Sequence, residues 1–432
     1  MFAALLGKKK SIFKGCYTQT KINMAQFSFN ILASDKKSKA RAGIIRTSNG
    51  DIETPYLVPV ATRGSLIALE SKDIEDIGIQ CLFANAYHLH FKPGDKEIKK
   101  QGGLHKYMNF SKPLLTDSAG FQAFSLGWGK VHGLGKIGFF PGERTSVNPG
   151  KNYAQVTEEG VHFTSSYDDK TKSFIGPKES MQIQSNLGAD IIMAFDECTS
   201  PMHGRAYTSK AVKRTHRWAL ESLKYHDKKQ ALYGIIQGGE FRSLRESSAK
   251  FIVNLEFDGI AIGGALGKDS REMFKIIDWL VPYLDQRPVH MLGIGRIRDI
   301  FEGVSRGIDT FDCVETTRIA RHGNLYVSPK AGGNIKNQFR ITIKKDEFRN
   351  DARPIDSTCV CSTCAHYTRK DLYAICRKGR RRDVIDKDSK FLYHKLATIH
   401  NLTFMHNLLR TIRESILKNT FTKLKKEWLS SD

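Results

Sequence analysis

No apolar stretch in this 432-residue chain is long enough to cross a bilayer as a helix, so a membrane-spanning fold is not expected. Cysteine is sparse. Eight residues scattered over this length do not make a disulfide scaffold. The one cluster, Cys359, Cys361 and Cys364, reads instead as a metal site in a reducing compartment, and a cytoplasmic location is expected. Acidic residues are short overall, 45 against 68 Lys and Arg, which leaves a formal charge of +23. A surplus of that sign favours a polyanionic partner, with nucleic acid ahead of a membrane surface. No acid at all precedes Asp35. Within "MFAALLGKKKSIFKGCYTQTKINM" the positive charges follow the short apolar run, the reverse of a secretory signal. Residues 1–24 are therefore set apart as a basic extension, disordered or lying ahead of the native start. There is no internal repeat beyond a recurring apolar run followed by a helical pattern, and no low-complexity tract.

That recurrence is the main signal present. Eight short apolar runs each end in chemically capable residues: "PYLVPVATRG", "QCLFANAYHLHF", "PLLTDSAGFQ", "ADIIMAFDECT", "ALYGIIQGG", "DGIAIGGALG", "PVHMLGIGR" and "GIDTFDCVETT". Runs of this kind suit parallel strands buried on both faces. Amphipathic stripes lie between them. Met273, Ile276, Ile277 and Leu280 follow Ser270 as a candidate N-cap, and Ile67, Ile74 and Ile77 form another stripe. Eight strand–helix alternations imply an α/β fold, a (β/α)8 TIM barrel over residues 25–345. Asp117, Asp196, Gln237, Gly264 and Asp312 then fall at strand C-termini, where such barrels keep their active sites. Two regions break the rhythm. Residues 127–175 read as a β insertion with a hairpin turn at Asp168-Asp169. Residues 346–432 read as a zinc-binding subdomain with C-terminal helices, striped by Leu392, Leu396 and Ile399 and by Leu409, Ile412 and Ile416. The basic run "RKGRRR" at 377–382 reads as a solvated loop ahead of a phosphate contact.

"CVCSTC" offers three soft thiolates, and a closed tetrahedral zinc site needs a fourth ligand. His366, His394, His400 and His406 follow it; His400 extends the Leu392–Leu396 stripe by a turn and so faces inward. With no open position, this zinc is structural. In "TDSAGFQ", small residues after Asp117 let a planar ligand approach the backbone, and Phe121 can stack on it. In "AFDECT" only one of two adjacent acids can face the barrel mouth, and Asp196 is taken. A carboxylate, the Gln237 carboxamide and the backbone around Gly264 suit a purine-like edge. His88 and His90 close the second apolar run, and such a pair could hold a catalytic metal. No other strand end supplies His or Lys to complete that site, and His290 is read as beginning its strand, at the wrong end.

The ordered stretches "TPYLVPVATRG", "NAYHLHFKPG", "LLTDSAGFQAFSLG", "MAFDECTSP", "YGIIQGG", "AIGGALG", "LGIGRIRDI", "FDCVETTRIARHG", "CVCSTC" and "IHNL" closely resemble the tRNA-guanine transglycosylases, the queuine tRNA-ribosyltransferases, from about Phe27 to Leu417. The resemblance implies exchange of guanine for a 7-deazaguanine base at the tRNA wobble position. By that resemblance Asp312 is the nucleophile, forming a covalent ribosyl–aspartate, and Asp117 is the general base. Asp117, Ser118, Ala119, Gly120, Phe121, Asp196, Gln237 and Gly264 bind the base. Gly293, Ile294, Gly295, Arg296, Ile297, Arg298 and Asp299, with Thr317, Arg318, Ile319, Ala320 and Arg321, grip RNA. One structural zinc sits on Cys359, Cys361, Cys364 and His400. The partners implied are a tRNA with a GUN anticodon, queuine or 7-aminomethyl-7-deazaguanine, and a second copy in a homodimer, or a heterodimer if the source is eukaryotic.

Three departures from the family pattern stand out. Ala119 replaces a glycine, Glu315-Thr316 replaces Leu-Pro ahead of the arginines, and Gly267 stands where bacterial relatives carry valine, which would widen the pocket toward queuine itself. Cys313, beside Asp312, is a rival nucleophile but reads as packing. Two other functions remain as alternatives: a non-catalytic tRNA-binding subunit, and a barrel metallohydrolase built on His88 and His90.

Overall fold

The computed structural model describes residues 27–131, 150–264, 266–267, 269–379 and 386–430. The extension 1–24, the middle of the insertion and residues 380–382 of the basic run lie outside the described residues.

The chain opens with β1 (Ser28–Ser34), β2 (Arg41–Thr47) and β3 (Gly50–Thr54), paired antiparallel in chain order. The apolar-run pattern passes over this sheet, because β1 alternates exposed and half-buried residues along its whole length. Ile45 and Ile52 share one core with Tyr56 and Ala231, the first residues of two barrel strands, so the sheet covers the barrel's N-terminal mouth.

The barrel follows. Its strands are β4 (Tyr56–Pro59), β5 (Leu82–Ala84) and β6 (Leu114–Thr116). After an inserted antiparallel sheet of β7 (Ala154–Val156), β8 (Val161–Thr164) and β9 (Lys172–Ile175), it resumes with β10 (Ile191–Met193), β11 (Ala231–Ile236), β12 (Gly259–Ile262), β13 (Val289–Met291) and β14 (Thr310–Cys313). The spatial order is β4-β14-β13-β12-β11-β10-β6-β5, and a parallel bridge between Val60 and Phe83 brings the two ends together. These are the eight runs nominated from the sequence. They are buried on both faces, as continuous apolar strands in a parallel sheet must be. No helix among the described residues is long and apolar enough to cross a membrane.

Local details differ from the periodicity reading. Asp269, not Ser270, caps the helix Ser270–Leu280, its carboxylate accepting from the Glu272 N–H at 2.9 Å. Ile67 lies ahead of the helix Ser71–Ile77 and is half exposed. In the 31-residue helix Lys387–Leu417, Leu396, Ile399, Leu409, Ile412 and Ile416 are buried, but Leu392 is exposed. That helix packs on the short helix Glu315–Arg321 and on the β15 (Asn324–Tyr326) and β16 (Arg340–Thr342) hairpin, tying the C-terminal region to the end of β14.

Candidate active site

A cavity of about 410 Å³ opens at the C-terminal ends of the barrel strands. Asp117, Asp196, Gln237, Gly264 and Asp312 all line it, contributed by the ends of five different strands. Asp312 sits in β14 opposite Val58 of β4. Its Oδ1 accepts the Gly293 N–H at 2.9 Å and faces His290 Nε2 at 3.3 Å. Its Oδ2 has no protein partner among the described residues. The neighbouring acid Asp309 turns the other way. It is fully buried against the Arg41 guanidinium at 2.6 Å and accepts the Val289 N–H at 2.7 Å, a structural charge pair. Burial pushes the Cys313 thiol up to about 12, so it is protonated and unreactive at neutral pH.

Asp117 leaves β6 beside the helix Ala86–Phe91. Its Oδ1 accepts the Ala86 N–H at 2.8 Å, and Asn85, the N-cap of that helix, donates its amide to Oδ2. Burial raises the Asp117 carboxyl to about 7, and the Asp312 and Asp196 charges push the same way against the backbone N–H groups. Asp196 is raised to about 6, chiefly by burial, despite accepting from Gln237 Nε2 at 2.6 Å and Ser118 Oγ at 3.1 Å. Glu197 points away, into the Arg214 guanidinium and the Tyr207 hydroxyl, as the alternation of a strand end requires. Gln237 Oε1 is buried without a hydrogen-bond partner among the described residues. Gly264, at φ +82°, leaves it room, since a Cβ there would lie 2.1 Å from that oxygen. A buried acceptor aimed beside a carboxylate suits a ligand edge that carries N–H donors. Ser118 and Phe121 line the cavity, whereas Ala119 and Gly120 are buried one layer behind them.

Gly267 does not line the cavity. Its φ of +86° and a Cβ position 2.5 Å from Glu272 explain glycine there without reference to a ligand. This removes the structural ground for reading it as a widened pocket.

Gly293, Ile294, Gly295, Arg296, Asp299 and Arg318 reach the cavity, whereas Arg298 and Arg321, both partly buried, are not among its lining residues. Ile297, Thr317, Ile319 and Ala320 are buried, and their side chains are not offered to RNA. Helical spacing gives the reason: Arg318 and Arg321, three apart on Glu315–Arg321, share the outer face and turn Ile319 and Ala320 inward. Glu315 is neutralised where it stands, paired with Arg340 and 3.9 Å from Arg296 Nε.

The histidine pair is not on a strand. His88 and His90 belong to the helix Ala86–Phe91 and take separate partners, Tyr167 at 2.8 Å for one and Asp95 and Ser173 for the other. They do not converge on a metal. Sequence reasoning also passed over Asn85 and misplaced His290, which lies within β13 rather than at its start. The N-cap position of Asn85 was open to detection; the reach of His290 across to Asp312 depends on register and was not.

The family model described as Queuine tRNA-ribosyltransferase matches residues 35–432. A protein of Archaeoglobus fulgidus is 48% identical over 402 residues, covering 90% of this chain and 96% of the relative. Proteins named Queuine tRNA-ribosyltransferase from Roseiflexus sp. (strain RS-1) and Halothermothrix orenii are 38% and 36% identical, each covering 93% of this chain and 99% and 97% of the relative. The chain belongs to the queuine tRNA-ribosyltransferase family. A second cluster of reactive groups lies in the C-terminal region. The Sγ atoms of Cys359, Cys361 and Cys364 and a ring nitrogen of His400 lie within 4.8 Å of one another. His400 Nε2 donates to the Tyr326 carbonyl at 2.8 Å, which leaves Nδ1 as the ligand atom, 3.3 Å from Cys364 Sγ. A metal-ligating imidazole is normally fixed in this way by its second nitrogen. The donor set fits a closed tetrahedral zinc.

Proposed function

We propose that this queuine tRNA-ribosyltransferase family member exchanges guanine at the wobble position of a GUN-anticodon tRNA for queuine or 7-aminomethyl-7-deazaguanine. The observation that carries the proposal is the pair of carboxylates in one cavity. Asp312 is held through Oδ1 with no partner on Oδ2 among the described residues, and Asp117 has its carboxyl raised to about 7. In the first step Asp312 Oδ2 forms a bond to C1′ of the flipped nucleoside while the C1′–N9 bond breaks, and Asp117 gives its proton to the departing guanine. In the second step Asp117 takes the proton from N9 of the incoming base, N9 attacks C1′, and the Asp312 carboxylate leaves. Exchange of guanine for guanine is symmetric, so the group that deprotonates the incoming base must protonate the departing one. A carboxyl near 7 serves both directions. Asp196 and Gln237, backed by Ser118 and Gly264, would receive the amide and amino edge of the base. Arg296, Arg298, Arg318 and Arg321 would hold phosphates at the rim.

Cys359, Cys361, Cys364 and His400 would hold one zinc, which supplies a crosslink between the cysteine loop and the long helix and takes no part in the exchange. A cytoplasmic location and a dimeric assembly belong to the same reading, carried by the family resemblance. Radiolabelled guanine exchange into tRNA with Asp312→Asn tests the function: exchange should be undetectable, and wild-type exchange in that variant would refute the assignment. Competition between queuine and its aminomethyl precursor decides the base.

A further inference from the structure

His290 has no role in the chemistry above, yet it is fully buried directly beneath it. It lies in β13, paired in register with Thr310 of β14, and Asp312 is two residues further along the same face of β14. Its ring bridges the two. Nδ1 is 2.9 Å from Thr310 Oγ1, and Nε2 is 3.3 Å from Asp312 Oδ1. The ring also stacks on Phe83, centroids 6.2 Å apart and planes 13° from parallel, which fixes its orientation. The Thr310 hydroxyl has no other acceptor among the described residues, so it donates to Nδ1. An imidazole that accepts at Nδ1 carries its hydrogen on Nε2, aimed at Asp312.

We propose that His290 is a positioning residue for the Asp312 carboxylate. With the Gly293 N–H it is the second donor on Oδ1, and together they turn Oδ2 toward the cavity as the attacking oxygen. Two donors on one oxygen fix the carboxylate's rotation and concentrate nucleophilic character on the other. The proposal rests on the reading of Asp312 as nucleophile. It adds that the attacking geometry is set from within the barrel, through the Thr310–His290–Asp312 chain, and not by RNA contacts at the rim.

The test compares His290→Phe, His290→Gln and Thr310→Val with wild type and Asp312→Asn, measuring kcat and KM for tRNA and the rate of adduct formation in a single turnover. His290→Phe keeps the stack on Phe83 and removes both nitrogens. It should lower kcat about 10- to 100-fold, the range for losing a hydrogen bond to a charged group, with KM for tRNA within about twofold. His290→Gln restores a donor near the Nε2 position and should recover most of that loss, which a purely structural role would not allow. Thr310→Val removes the donor that sets the tautomer and should cost roughly three- to tenfold in kcat; it also carries the test if His290→Phe does not fold. Unchanged kcat in His290→Phe and Thr310→Val beside an inactive Asp312→Asn would overturn the proposal and leave the reading of Asp312 intact. So would failure of a folded His290→Gln to recover activity above His290→Phe. Activity in Asp312→Asn would overturn the reading itself.

Discussion

The barrel cavity and the cysteine cluster gather reactive groups in opposite ways. The cavity draws Asp117, Asp196, Gln237, Gly264 and Asp312 from strand ends spread over almost two hundred residues, and each carboxylate is held by neutral donors: Asn85, Ser118, Gln237 and the Gly293 N–H. The cluster takes three ligands from six consecutive residues and one from the long helix, and its four ligand atoms face one another. In the first, the barrel scaffold pre-exists and the acids carry the cost of burial, visible in carboxyls raised to about 7 and about 6. In the second, the ligands need the metal to offset the crowding of three sulfurs. A site of the first kind can lose a residue without losing its fold, while a site of the second kind joins folding to binding.

The largest effect should follow from breaking the cavity at its nucleophile. Asp312→Asn is expected to lower guanine exchange by about a thousandfold or more while leaving the melting temperature near wild type, measured by exchange assay and circular dichroism. Breaking the other site should do the converse. Cys361→Ser, or removal of zinc by a chelator, should reduce bound metal from one zinc per chain toward none. It should cost at least about 3 kcal/mol of stability, read by metal analysis and thermal unfolding. Activity would then fall only as far as the folded fraction falls.

A pH profile sharpens the contrast further. Adduct formation needs Asp117 protonated, so its rate should fall roughly tenfold per unit as pH rises above about 7. The second step needs the deprotonated form, so its rate should fall as pH drops below that value. Single-turnover rates for each half-reaction between about pH 5.5 and about pH 8.5, roughly 1.5 units to either side of the inflection, test this. A flat profile for both would remove Asp117 from the proton transfer. The smallest effect concerns Ala119, held at φ 71° in the left-handed region that favours glycine. Ala119→Gly should stabilise the fold by about 0.5–1 kcal/mol, measured by denaturant unfolding, because a Cβ is strained there.

The same contrast explains what could be read from sequence. The eight barrel strands were legible because double-sided burial leaves unbroken apolar runs, and the cysteine cluster because its spacing is local. The β1–β3 sheet was not, since one face meets solvent and its pattern is diluted. Asp117, Asp196 and Asp312 announced themselves by ending apolar runs. His290 did not, because its partner is set by the register between β13 and β14 and no local pattern encodes it. The segment from Thr317 to Arg321 looked like a continuous RNA grip, but helix periodicity divides it into two outward arginines and an inward core.

The central claim is that Asp312 forms a covalent bond to the ribose. Wild-type protein incubated with a GUN-anticodon tRNA, quenched in denaturant and resolved by denaturing electrophoresis with mass spectrometry of the digested band, tests it most directly. The account predicts a protein–RNA species whose modified peptide contains Asp312, absent with Asp312→Asn and discharged when a 7-deazaguanine base is added before quenching. An adduct of equal yield in Asp312→Asn, or one mapped to another residue, would contradict it.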